Sequence, residues 1–168
     1  MAEVTFEDLV TMSSGLDWKE EYYSPFSVTA SAYFVDNLSS LILNQEIIEK
    51  PGESFKYLSG ATQLLGMTIV KATGRNLSDY LYESFWDPMG MEKNAFWQID
   101  RPKNGIEKVF CCIASNARDF AKFGKLYKDF GRWNGEALID SAYVAKSISP
   151  RFKASPEYGY SWWLEKWN

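Results

Sequence analysis

Histidine is absent from this chain of 168 residues. That excludes a Ser-His-Asp triad, a Cys-His dyad and any histidine-ligated metal within it. Cysteine occurs twice, at the adjacent positions Cys111 and Cys112. A disulfide between neighbours is strained and no framework can be built from it, so the pair reads as core thiols in a strand. There is no basic excess. The formal charge is −4, with both signs mixed along the chain, which argues against a nucleic-acid partner. No apolar run is long enough to span a bilayer. No leader pattern opens the chain, because Met1-Ala2-Glu3 runs straight toward a predicted helix. Internal repeats and low-complexity segments are absent too.

What is present is a folding sequence. Hydrophobic residues make up 46% and are broken everywhere by polar ones, enough for one globular domain over residues 1–168. Aromatic residues reach 17%, seven of them Trp. Two readings stand side by side: ordinary core packing, and an aromatic-lined cleft.

The punctuation predicts mostly helices. Thr5 caps a first helix, with Asp8 at N3 and Val4 placed to staple on Leu9, and Gly15 is expected to end it. Residues 17–27 read as a loop, and 29–43 as one helix with Tyr33, Phe34, Leu38, Leu41 and Ile42 on one face. Asn76 and Asp79 open a helix that must stop before Pro88. Short strands are expected at 94–98 and 108–114, around an Asn104-Gly105 turn. Asn116 with Asp119 caps a helix through Tyr127. Arg118 and Asp119 read as a solvated first turn plus capping rather than an ion pair. Trp133-Asn134-Gly135 is a turn, Asp140 caps a last helix, and 158–164 reads as a strand.

The organising stretch is 50–74. Pro51-Gly52 marks a turn, residues 54–57 read as extended, and Ser59 is placed to cap a helix. Leu64, Leu65, Met67, Ile69 and Val70 are its expected apolar positions. Gly74 is its left-handed stop. Tyr57 and Ser59 thus sit at a rigid junction that points side chains outward.

Here the chain resembles a known family. Pro51-Gly52-Glu53-x-Phe55-x-Tyr57-x-Ser59-Gly60, followed by Leu64-Leu65-Gly66 and Ala72-Thr73-Gly74, is similar to the second motif of the serine β-lactamase and penicillin-binding-protein superfamily. The match is to its class C-like branch of β-lactamases, esterases and nylon-oligomer hydrolases. Further segments resemble that branch: Leu9-x-x-Met12-x-Ser14-Gly15-Leu16, Glu20-Glu21-Tyr22-x-x-Pro25, 85–91, 115–124 and Tyr158-Gly159-Tyr160-x-Trp162-Trp163. The resemblance implies the helical region of a β-lactamase/transpeptidase-like fold, mainly α with a few short strands. It implies acyl-enzyme chemistry on a small-molecule β-lactam, ester or amide, with no metal or organic cofactor. Tyr57 would move the proton of a nucleophilic serine, Ser59 would hydrogen-bond within the site, and Tyr22 would face substrate. For Tyr22 the other reading, a tyrosine packed in a surface loop, stays open.

Two family motifs are missing. No Lys in the sequence has a Ser three residues before it, so the Ser-x-x-Lys nucleophile is absent. The strand motif Lys-Thr-Gly or His-x-Gly is absent as well, since Lys71-Ala72-Thr73-Gly74 ends a helix. The expectation is a fragment of a serine hydrolase, inactive alone. A serine hydroxyl needs an adjacent base, and an unperturbed phenol titrates near ~10. The alternative is a non-catalytic interaction domain derived from the same fold, with homodimerisation through surface left exposed.

Overall fold

The computed structural model describes residues 4–164; Met1-Ala2-Glu3 lie outside them. The chain resolves into two compact units. One is made of Met1–Asn76 with Gln98–Cys112, the other of Leu77–Trp97 with Ile113–Asn168. Helices dominate both.

In the first unit, helix α1 (Phe6–Val10) opens with the expected capping box. Asp8 N donates to Thr5 Oγ1 at 3.2 Å, and Thr5 N donates to the Asp8 carboxylate at 2.9 Å. The helix ends at Val10 rather than at Gly15, because Met12 turns to φ 56° and Ser13 N returns to Asp8 O at 2.8 Å. Gly15 serves a chain crossing instead. Its carbonyl accepts from Ile48 N and Glu49 N, and a Cβ there would collide with the Glu49 backbone.

The single helix expected over 29–43 is two. Helix α2 (Val28–Phe34) is capped by Ser27 and helix α3 (Leu38–Leu43) by Asn37. Val35 is extended, at ψ 144°, so the helix stops there. The second start is fixed from afar: Leu38 N donates to Asp100 Oδ2 at 3.0 Å. The other Asp100 oxygen accepts from Ile106 N at 2.9 Å. Two local caps and one distant carboxylate outweigh a continuous apolar periodicity.

Helix α4 (Ser59–Thr73) ends at Gly74, φ 69°, as expected. Its packing face differs from expectation. Gly60, Ala61, Gln63 and Gly66 are buried, while Leu64, Leu65, Met67, Ile69 and Val70 are only half-buried. Small residues let α4 approach α1 and α3 closely. A Cβ at Gly60 would stand 2.5 Å from Cε3 of the buried Trp18. Gln63, fully buried, donates to Glu107 O at 3.0 Å and accepts from Val109 N at 2.8 Å. That pins the segment leading to the cysteines.

Of the strand expected over 108–114 only Ile113–Ala114 forms. Cys112 lies at φ 74°, which no strand ladder accommodates. Cys111 and Cys112 are half-buried and joined to each other as a disulfide, so they are not thiols in a core strand.

In the second unit, helix α5 (Leu77–Leu81) runs into a π-helical turn (Tyr82–Trp86), stopping before Pro88 as expected. Trp86 is buried and its indole N–H donates to Lys93 O at 2.9 Å. Strands β1 (Phe96–Trp97) and β2 (Ile113–Ala114) pair antiparallel, Phe96 opposite Ala114. Helix α6 (Ala117–Lys128) is capped by Asn116, whose Oδ1 accepts from Asp119 N at 2.9 Å. Arg118 is exposed beside Glu92. Asp119, however, is fully buried rather than solvated. Strands β3 (Arg132–Trp133) and β4 (Glu136–Ala137) flank the Asn134-Gly135 turn, both residues at positive φ. Asp140 caps helix α7 (Ser141–Ser147). The strand expected over 158–164 is instead a tight reversal, with Ser161 at φ 58° and Tyr158 bridged to Trp163.

Candidate active site

The three residues singled out by sequence lie in the first unit, around one cavity of about 350 Å³. Tyr22 comes from the loop 17–27, and Tyr57 and Ser59 from the approach to α4. Tyr33 and Phe34 of α2, with Phe110, supply further aromatic wall. The open choice between core and cleft resolves both ways: Trp18 and Trp86 are core, whereas the ring cluster in this cavity is surface.

The loop is held by its own polar groups. Ser27 Oγ donates to Glu21 O at 2.8 Å, Thr29 Oγ1 to Lys19 O at 3.3 Å, and Tyr23 N to Glu21 Oε1 at 2.9 Å. These bonds close the loop onto the first turn of α2. Residues 54–57 are irregular backbone outside any strand, tied by Lys56 N to Met12 O at 2.7 Å.

Ser59 does not cap α4. Leu58 is the N-cap and offers no side-chain acceptor. The cap is Glu20, from 39 residues upstream. Its Oε2 accepts from Ser59 N at 2.6 Å, and its Oε1 accepts from Ser59 Oγ at 2.7 Å. A carboxylate at a helix start meets unsatisfied N–H groups and the positive end of the helix dipole. Sequence reading named Glu20 only as part of a loop pattern. Its acidic character beside a helix start lacking a side-chain cap was the available signal, but no local spacing joins the two.

The electrostatics favour neutral phenols. Burial, and then the charge of Glu20, push the Tyr57 phenol above its usual value. Burial and hydrogen bonding to Glu20 push Tyr22 up as well, the Ser59 hydroxyl pulling the other way. Both therefore stay protonated through neutral pH and can donate hydrogen bonds into the cavity. The buried Lys108 ammonium is engaged: it donates to Tyr33 O and lies 4.8 Å from the Tyr33 ring centre. Among the described residues, no three His, Cys, Asp or Glu side chains are grouped to hold a metal ion.

The chain belongs to the beta-lactamase family, whose model matches residues 2–168. It is 28% identical over 97 residues to Protein flp of Staphylococcus aureus, which covers 58% of this chain and 19% of flp. A putative 6-aminohexanoate-dimer hydrolase from Bacillus anthracis superposes with TM-score 0.81 at 22% identity, over 97% of this chain and 48% of that one. A putative beta-lactamase from Bacteroides dorei gives TM-score 0.74 at 15% identity, over 98% and 54%. The fold is thus the helical region of the β-lactamase-like fold. This chain spans about half the length of the two structures and about a fifth of flp.

Proposed function

We propose that these residues form the tyrosine wall of a serine hydrolase active site, acting through an acyl-enzyme on a small-molecule ester, amide or β-lactam. The nucleophile, a serine in a Ser-x-x-Lys segment, is supplied from outside the 168 residues. The observation that carries the reading is the convergence of Tyr22, Tyr57 and Ser59 on one cavity. Tyr57 relays the nucleophile's proton toward the leaving group. Ser59 anchors the helix start beside it, and the Tyr22 hydroxyl holds substrate.

A phenol held above its usual range is a poor base. It becomes competent when a cation, such as the motif lysine, stands beside it and favours the phenolate. Tyr57 in this chain is set as a proton donor, one half of the relay. Likeness to the 6-aminohexanoate-dimer hydrolase and the Tyr-x-Ser form of the motif favour esters and amides over β-lactams.

The test joins these residues to a Ser-x-x-Lys segment and measures hydrolysis of a p-nitrophenyl ester. Tyr57→Phe should lower kcat by about 10²- to 10⁴-fold, the range of a general acid–base group. A loss smaller than about tenfold removes Tyr57 from the proton path.

A further inference from the structure

We propose that Glu20 is the positioning residue of this site: its carboxylate clamps the start of α4 to the loop that carries Tyr22, and it presents a negative charge to the Tyr57 phenol. The role it plays in catalysis rests on the reading of Tyr57 given above; the clamp and the charge do not.

The geometry is specific. Both carboxylate oxygens are used, one on the Ser59 amide and one on the Ser59 hydroxyl, at 2.6 and 2.7 Å. Charge-assisted bonds of this length are stronger than neutral ones. Tyr22 lies two residues after Glu20 and Tyr57 two before Ser59, so one carboxylate sets the spacing between both phenols. Ser59 is buried and Glu20 half-buried, so water screens the arrangement incompletely. The titratable groups facing Tyr57 are Glu20 and Tyr22. Lys56, its chain neighbour, is paired with Glu49 at 3.3 Å.

This arrangement has a chemical consequence. A serine whose hydroxyl points its proton at a carboxylate leaves its oxygen lone pairs free to accept from a phenol. In this arrangement the Ser59 hydroxyl proton is committed to Glu20. Glu20 also opposes ionisation of Tyr57 until an incoming cation offsets it. The proton path is closed in the absence of that cation.

The experiment is carbon NMR of the 168-residue chain labelled with tyrosine at 13Cζ, with Tyr57→Phe used to assign the Tyr57 signal. In Glu20→Gln the Tyr57 titration midpoint should move down, while Tyr143, whose charged neighbours do not include Glu20, should stay in place. A Tyr57 midpoint equal to that of the unsubstituted chain overturns the proposal. Should Glu20→Gln fail to fold, the coupling is read in the unsubstituted chain, labelled in addition with glutamate at 13Cδ, from the Glu20 13Cδ signal. That signal should shift at the pH where Tyr57 ionises; a flat trace overturns the proposal.

The two readings fail separately. A lowered Tyr57 midpoint with full turnover in Tyr57→Phe leaves the positioning role standing and removes the hydrolase reading. An unmoved midpoint with turnover lost in Tyr57→Phe does the reverse.

Discussion

Asp119 keeps a charge where water does not reach. Burial alone would raise its pKa, but four donors outweigh it. Glu92 N and Lys93 N donate at 2.8 and 3.0 Å, Lys122 stands at 3.2 Å and Asn116 Nδ2 at 2.6 Å, and together they hold the carboxyl down at about 2. A depressed carboxyl stabilises the fold above its unfolded value, 3.8. That stability is lost as pH falls from about 4 toward 2, when the folded form must take up a proton. Thermal melts of the chain should show Tm falling across that window. In Asp119→Asn, Tm should be lower at neutral pH and the fall should flatten. An unchanged acid slope would mean that other carboxylates carry it. Glu20 is alike in one respect: a carboxylate named in the sequence only within a loop pattern is found organising backbone. The reason is common to both: some of their partners are main-chain N–H groups distant in sequence, which no sequence pattern displays.

At the scale of elements, α4 shows how the motif is held. Gly60 follows Ser59 directly and lies against Trp18, with the hypothetical Cβ contact at 2.5 Å on a rigid indole rather than a flexible side-chain tip. Gly60→Ala gains helix propensity but forces Trp18 or the helix to move. The net cost should be about 1–3 kcal/mol, typical of overpacking, read by urea unfolding. A neutral or stabilising result would show that Trp18 yields freely. The glycine of Tyr-x-Ser-Gly is thus a packing requirement.

Much of the helical framework was legible because it is written locally. Thr5 with Asp8, Asn116 with Asp119, Asp140 and Gly74 all act within one turn of themselves, and all formed where expected. The mainly α class and the turn at Asn134-Gly135 follow from the same local signals. What was not legible depended on distance. The break before α3 is sealed by Asp100, the start of α4 by Glu20, and the segment before Cys111 by Gln63. The burial of small residues on α4, opposite to its apolar periodicity, reflects two neighbours pressing from one side. Tyr22, Tyr57 and Ser59 were singled out only through motif resemblance and line one cavity, while Glu20, which joins the loop to the start of α4, had no such signal.

At the scale of the whole molecule, the sequence holds no Ser-x-x-Lys segment, and burial with the charge of Glu20 holds the phenols of Tyr22 and Tyr57 above their usual value. Incubated with a fluorophosphonate or a penicillin, the 168-residue chain should show no mass adduct. An adduct on Ser59 would mean that Glu20 serves as its base, and would move the nucleophile inside the chain.

Glu20 and Ser59 also bear on the order in which the molecule assembles. Helices α1, α6 and α7 are nucleated by caps three residues from their partners. The start of α4 waits for 39 residues to be drawn into a ring, an entropic toll that grows with the logarithm of the enclosed length. By that argument the junction bearing Tyr57 sets later than the locally capped starts of α1, α6 and α7. During synthesis Glu20 leaves the ribosome before Ser59 does, so the ring can close as soon as its second half emerges.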